Sequence, residues 1–365
     1  MENNTISHRQ LSAIAFMMVL SPLMHSQPRV WLEQTGGAAW LSPLIAGLAV
    51  ALLFLLWRGF FPEGYAAALR KAWGKYLGGA VMLLYALWMV CHAGFVLRSG
   101  AERFIATIYP ASRYPFLVVT MALACLPAAL GGMRPLGRSA MIFRPVMLCV
   151  FALLLIFAVF DFNLTGVLGV SSAQVLPALR SSWGMLSAAT VPAVLCFWGD
   201  RTSEKPLRRD GLFWALSVAA VLEVSILIVL GTFGPALGGT FKYPFFDAVL
   251  NTTILDSVEH IEALAIALWV FSDFVLYAVL LATASRAAAL CFGMSGESEE
   301  KRLLPLKNGR WLTLVCAAAA LAAALTIAPL SQDMDFYSLR LIPAFNALFV
   351  FILMPLTGLI SHLRR

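Results

Sequence analysis

Long apolar runs alternate with short polar connectors from one end of the chain to the other. An apolar stretch of about 20 residues is what a helix needs to cross a hydrocarbon layer about 30 Å thick. The pattern predicts spans at Gln10–Val30, Gly37–Trp57, Leu77–Leu97, Pro115–Gly131, Met141–Phe160, Met185–Trp198, Leu212–Leu237, Ile261–Leu281, Trp311–Leu330 and Leu339–Ile360. The third and eighth are expected to continue as helix beyond the bilayer, to Ile108 and Phe292. The polar start Met1–Arg9 has no basic-then-apolar pattern of a cleavable signal, so the first span is expected to stay as a helix.

Two prolines interrupt this pattern. Pro22 follows Ser21 in the first span, and Pro192 follows Thr190 and Val191 in the sixth. Proline removes a backbone donor and clashes with the carbonyl four residues back. In lipid the freed groups must face protein or a cavity. The spans divide into two sets of five, repeat one at about 8–162 and repeat two at about 178–363. Each set opens on a broken span, and because five is odd the second set crosses in the inverted sense. Interrupted spans at corresponding positions point to a transporter-like site near the midplane. The loose half-helix ends would offer N–H and C=O groups to a small zwitterion. Proline is also commoner in membrane helices than in soluble ones, so a plain kink is the competing account of either residue alone.

Composition supports the membrane reading. The chain is 61% hydrophobic and 12% charged, against roughly 25% charged in soluble domains. Its net charge of +7 is unevenly placed. On the side of both termini lie Arg9, Arg58, Arg70, Lys71, Lys75, Arg134, Arg138, Arg201, Lys205, Arg208 and Arg209, then Arg286, Lys301, Arg302, Lys307, Arg310, Arg364 and Arg365. The opposite loops hold only Arg29, Arg113, Arg180, Lys242 and Arg340. Positive residues favour the cytoplasmic side, so both termini are expected there. The charge therefore reports topology and does not imply nucleic acid. Outside, Thr240–Glu259 is expected to form a cap of short helices, with Phe245, Val249, Ile254 and Val258 on one face and Asp247, Asp256 and Glu259 between them. The Gly293–Gly309 loop reads as charged and solvated.

A few polar residues stand inside the spans. Asp273 costs ~2.5–3.5 kcal/mol at a helix centre, so it is expected to face the interior or to be protonated. It reads either as a proton- or cation-responsive group beside a substrate or as a carboxylate paired with a buried base such as Arg144 or His92. Glu223 is a second candidate for coupling. Arg98 and Glu102 form an i, i+4 pair at the outer end of the third helix, beside Arg103. His25 and His92 read as packed core histidines, since no second metal ligand stands at helical spacing. The cysteines Cys91, Cys125, Cys149, Cys196, Cys291 and Cys316 read as small buried hydrophobes with no CxxC pair. Neither a cofactor nor a metal is expected. Metalloprotease, nucleophile-elbow and ATP-binding motifs are missing, which disfavours an enzyme or an ATP-driven pump; His260-Ile261-Glu262 resembles a metalloprotease start only superficially.

The opening Ile6-Ser7-His8-Arg9-Gln10-Leu11 resembles that of spore germination permeases, the B subunits of germinant receptors. The likeness continues in order through Ala39-Trp40-Leu41-Ser42-Pro43-Leu44, Phe61-Pro62-Glu63-Gly64, Trp73-Gly74-Lys75-Tyr76 and Asp161-Phe162-Asn163-Leu164. Tyr243-Pro244-Phe245, Glu259-His260-Ile261-Glu262 and Ala267-Leu268-Trp269-Val270-Phe271 extend it late in the chain. The resemblance implies an all-α, LeuT-like integral membrane fold of the amino acid/polyamine/organocation superfamily, with first and sixth helices broken. It implies a germinant such as an amino acid, held between those helices and flanked by the third and eighth. Carried over, that points to Leu20, Ser21 and Leu23, to His92 and Val96, to Ala189, Thr190 and Val191, and to Phe271 and Asp273. It also implies an A subunit and a lipoprotein C subunit as partners, in the bacterial cell membrane and the spore inner membrane. The chain departs from the family in lacking glycines at Ser21-Pro22 and in carrying Asp273 with apolar Leu276, where relatives often have small residues and a lysine. A sensing subunit is the leading reading; the alternative is a proton-coupled secondary amino-acid permease.

Overall fold

The computed structural model describes residues 6–57, 61, 64–158, 162–163, 167, 171–202, 208–250, 262–292, 310–327, 330 and 333–364. All the regular structure in these residues is helical apart from one isolated bridge between Ile6 and Thr202. The helices are α1 (His8–Thr35), α2 (Leu41–Trp57), α3 (Tyr65–Thr107), α4 (Tyr114–Gly131), α5 (Met133–Ala158), α6 (Val175–Ala189), α7 (Arg208–Gly238), α8 (Pro244–Leu250), α9 (Glu262–Cys291) and α10 (Arg310–Thr326). A last span, α11 (Asp333–Leu363), is a continuous run of α and π turns. Each of the ten apolar segments lies on a helix, and the two long ones end at Thr107 and Cys291, one residue short of expectation.

Local sequence explains the starts and bends. Ser7 and Gln10 form a reciprocal capping box at the head of α1, with bonds of 3.3 and 3.1 Å. In α3 the chain turns at Gly74 with φ +75°, a left-handed value that glycine adopts without strain. Tyr65–Trp73 then packs back on the span so closely that a Cβ on Gly78 would meet the Leu69 carbonyl oxygen at 2.8 Å. The π turns of α11, Tyr337–Leu341 and Ala347–Leu353, stand just before Pro343 and Pro355. The wider winding accommodates rings that cannot donate to the ladder.

α1 lies inside the bundle, packed against α5, α6, α7 and α9, while α3 runs along α9 and α10. Small residues permit these approaches. A Cβ at Gly94 of α3 would meet the Ala320 oxygen of α10 at 2.7 Å, and one at Gly47 of α2 would meet Ala219 of α7 at 2.5 Å. Ser42 of α2 bonds Ser181 of α6 at 2.7 Å, so these helices share a polar seam without leaving hydroxyls bare.

The outer surface is apolar. Leu48, Phe116, Leu123 and Ile142 are each more than 60% exposed, a surface suited to lipid and not to water. Among the described residues seven helices are long and apolar enough to cross a membrane by themselves, or eight when the pair bent by 115° at the α1–α2 corner is taken as one span. Cys125 and Cys316 are buried as expected, whereas Cys91 and Cys149 sit on the bundle's outer face, where an apolar thiol is equally at home. The expected cap is present in part: α8 buries Phe245 and Val249. Ile254, Asp256, Val258, Glu259 and His260, like the 293–309 loop, lie outside the described residues.

A Gly94→Val substitution should destabilise the bundle by roughly 1–3 kcal/mol, the cost of overpacking a tight contact. Thermal unfolding in detergent measures it, and an unchanged midpoint would contradict the close α3–α10 approach.

Candidate functional site

α1 does not part into two half-helices at Pro22. It runs as one helix from His8 to Thr35 with Pro22 and Pro28 inside it. The expected break takes a subtler form. The Ser21 N–H donates to the hydroxyl of Ser272 on α9 at 2.7 Å, and that hydroxyl donates to the Met17 carbonyl at 2.5 Å. Met17 is the residue four back from Ser21, so a hydroxyl from another helix bridges the two ends of one helical turn. The next residue, Pro22, has no N–H to give to Met18. The Ser21 carbonyl meets His25 Nδ1 at 2.6 Å. The ladder of α1 is thus opened at Pro22, and the turn beside it is bridged from outside by the Ser272 hydroxyl.

Beside this opening lies a buried ion pair. Asp273, next in sequence to Ser272, bonds the guanidinium of Arg103 from α3, and both side chains are under 10% exposed. This corrects the expected partners: neither Arg144 nor His92 reaches the carboxylate. Arg144 bonds Ser12 at 3.3 Å, and His92 packs on Trp88 with a buried Nδ1 that bonds nothing. Gly100, one turn before Arg103, lets Met121 of α4 approach, since a Cβ there would meet Met121 Cε at 2.5 Å, while Asp273 Oδ2 lies at an ordinary contact distance of 3.4 Å. Arg103 also donates to Ser99 at 2.7 Å.

The sixth span does change form where expected. α6 ends at Ala189, Thr190 caps it at φ −90° and ψ −7°, and Val191–Arg201 continues as 3-10 helix with Pro192 in its first turn. The Thr190 hydroxyl closes on the Ser187 carbonyl at 2.6 Å. The far half of α9 holds this segment: Thr283 accepts from Trp198 Nε1 at 3.0 Å, and Arg286 donates to the Phe197 carbonyl at 2.9 Å. One helix therefore braces both irregular spans.

The remaining candidates distribute unevenly. Leu20, Leu23, Ala189 and Val191 are buried in the core, and so is Val96, one turn from Gly100 on α3. His92 lies eight residues before Gly100, about 12 Å along the helix axis. Phe271 stacks on Phe143 of α5 at 4.5 Å, because two residues along a helix turn a side chain about 200° away from Asp273. Glu223 on α7 has a buried oxygen without a partner, and among the described residues it makes no hydrogen bond or ion pair with Asp273 or Arg103.

Both ends of the bundle are tied. At the end carrying the N-terminus, Ile6 N–H donates to the Arg201 carbonyl at 2.9 Å, and Arg286 binds both Asp200 oxygens at 2.7 and 3.0 Å. At the other end Arg29 pairs with Glu33 at 2.8 Å and reaches Asp335 at 3.4 Å. The expected Arg98–Glu102 pair is there at 2.9 Å, and Lys242 joins it at 2.8 Å. A cavity of about 90 Å³ lies among these charges and reaches inward to His25 and Arg103. Outside the spans, burial raises the Asp247 carboxyl above its ordinary value.

Sequence reasoning missed Ser272 and chose the wrong base for Asp273. Arg103 was visible as a charge at the end of the third helix, but the rotation that aims it at α9 was not.

Known structures share this architecture. A substrate-bound, outward-open Na+-coupled sialic acid symporter superposes with a TM-score of 0.67 at 14% identity, over 97% of this chain and 78% of that one. The nucleobase-cation-symport-1 family transporter MHP1, closed with bromovinylhydantoin bound, gives 0.61 at 14% identity over 99% and 80%. MhsT in complex with L-phenylalanine gives 0.54 at 15% identity over 97% and 98%. The fold is that of LeuT-type transporters. No curated protein matches the sequence. A family model described as spore germination protein matches residues 5–330, nearly the whole of a chain whose first and sixth spans are both interrupted and braced by one helix, and the chain belongs to that spore germination protein family.

Proposed function

We propose that this protein is the membrane subunit of a germinant receptor and binds a small zwitterion, such as an amino acid, at the opened turn of α1. The observation that carries this reading is the Ser21–Ser272–Met17 bridge beside the Asp273–Arg103 pair. A ligand carboxylate could take the Ser21 N–H and the Arg103 guanidinium. Its ammonium could take Asp273 and the Met17 carbonyl. Such a ligand replaces each protein bond with one of its own, which is how a buried pair can be parted without leaving a bare charge. Leu20, Leu23, Val96 and the Ala189–Val191 corner supply apolar walls in this reading; His92 and Phe271 stand away from it. A neighbour of the same fold that holds L-phenylalanine supports the amino-acid choice.

The end with Arg29, Lys242 and Asp335 would face outside and admit the ligand, and the termini would lie in the cytoplasm, in keeping with the charge asymmetry. Binding would favour one arrangement of the two repeats only by its differential affinity for it. An A subunit and a lipoprotein C subunit in the spore inner membrane would read that arrangement. The rival reading, a proton-coupled permease, needs a carboxylate that titrates during turnover. Asp273 would have to leave Arg103 to do so.

Binding and uptake of labelled amino acids in proteoliposomes, with and without a pH gradient, separate the two. Saturable binding without uptake is expected; uptake lost in an Asp273→Asn variant would establish the permease. Ser272→Ala should tighten binding by about tenfold, since the ligand no longer has to displace a buried hydroxyl from the Ser21 N–H and the Met17 carbonyl, a bond of about 1 kcal/mol or more; unchanged affinity would remove the site from this turn. Arg103→Gln alone should destabilise the fold by ~3–5 kcal/mol by stranding Asp273. An Arg103→Leu, Asp273→Leu double variant should recover most of that stability in thermal unfolding while binding stays lost.

A further inference from the structure

A second feature lies on the opposite side of α1, at the end of the bundle that carries the N-terminus. A crevice of about 640 Å³ opens sideways between α1, α5 and α7. Its walls include Met141 and Leu148 from α5 and Leu212, Phe213 and Leu216 from α7. Met141, Leu212, Phe213 and Leu216 are 43–59% exposed, so the crevice is continuous with the apolar surface that faces lipid. At its polar end stand Arg9, which is exposed, and Arg144.

Arg144 has less than its chemistry asks for. Nη1 donates to Ser12 at 3.3 Å, the guanidinium lies 4.7 Å from the Phe213 ring centre and 5.6 Å from that of Phe16, and Nη2 donates to nothing. The one acidic side chain lining the crevice, Asp210, lies 3.3 Å from His8 Nε2. Arg144 lies three residues past Met141, where the apolar run of α5 begins, so its guanidinium is about one helical turn deep, at the level where arginines reach for headgroups. Two cations at the mouth, an unfilled donor and apolar walls open to the bilayer describe one occupant.

We propose that this crevice binds a single anionic phospholipid, its phosphate on Arg9 and Arg144 and one acyl chain along Leu148, Phe213 and Leu216. A free phosphate would use the two arginines but would leave the apolar walls uncovered. The lipid uses both. This site is separate from the opened turn and does not depend on the germinant reading.

The full chain, purified in detergent and placed in nanodiscs of equal phosphatidylglycerol and phosphatidylcholine, tests it by native mass spectrometry. One phosphatidylglycerol per chain should survive release from the disc. Arg144→Gln and Arg9→Gln should each lower its retention roughly fivefold, as expected for one arginine near an anionic surface. Leu216→Trp, at an exposed position, should lower it by filling the crevice without altering charge, and so carries the test if Arg144→Gln fails to fold. Arg138→Gln, exposed on α5 outside the crevice, should change nothing. Equal retention of the two lipids would overturn the proposal, and so would retention indifferent to Leu216→Trp. Displacement of the lipid by millimolar inorganic phosphate would assign the arginines to a free anion instead.

Discussion

A hydroxyl from α9 bridges one turn of α1 beside Pro22, and the arrangement of the bundle's centre follows from it. In hydrocarbon an unsatisfied N–H or C=O costs several kcal/mol, so a helix can be opened only where something else satisfies it. Ser272 bonds the Ser21 N–H and the Met17 carbonyl at once, one turn apart beside Pro22. That demand fixes α9 against α1 at one height and one rotation. With Ser272 turned to α1, the next residue, Asp273, turns to α3 and meets Arg103, and Phe271 turns to α5 and meets Phe143. Three consecutive residues thus knit three neighbouring helices to α9.

The ties at the two ends are of a different kind from the pair at the centre. Arg29, Glu33 and Asp335 are 34–55% exposed, and Asp200 is 41% exposed. Exposed pairs contribute about 0–1 kcal/mol each and exchange readily with water. The Asp273–Arg103 pair is buried, and removing one partner costs far more than the pair itself contributes. Arg29, Glu33 and Asp335 therefore form a loose latch, while the ties through Arg286 and Glu102 set one buried partner against a half-exposed one. The central pair, buried on both sides, yields only to groups that replace both charges together.

Much of this was legible in the chain. The apolar runs placed every long helix, and the far ends of α3 and α9 to within one residue, because spans in lipid are set by length and polarity alone. Pro192 marked the end of α6, since proline after a short span stops the α ladder locally. Pro22 marked the correct turn of α1 but not its form. Its consequence depends on Ser272, 251 residues away, and a serine in an apolar helix carries no sign of which carbonyl it will meet. The partner of Asp273 was hidden for a related reason. Arg103, Arg144 and His92 were all basic groups near or in spans, and only helix rotation decides among them.

The same rotation leaves Arg144 without the role a buried arginine usually has. It lies on the α5 face turned from α9 toward α7, so the carboxylate that would have neutralised it belongs to Arg103. An arginine stranded inside a span should be selected against unless something supplies an acceptor. Ser12 supplies one weak bond at 3.3 Å and two rings supply their faces. Its unfilled donor is buried beside the apolar crevice, and the bilayer is the one medium there that carries phosphate and hydrocarbon on a single molecule. The unequal fates of two basic residues, one held by a carboxylate inside the bundle and one lining a crevice open to lipid, follow from the angle at which α9 is held by a single serine.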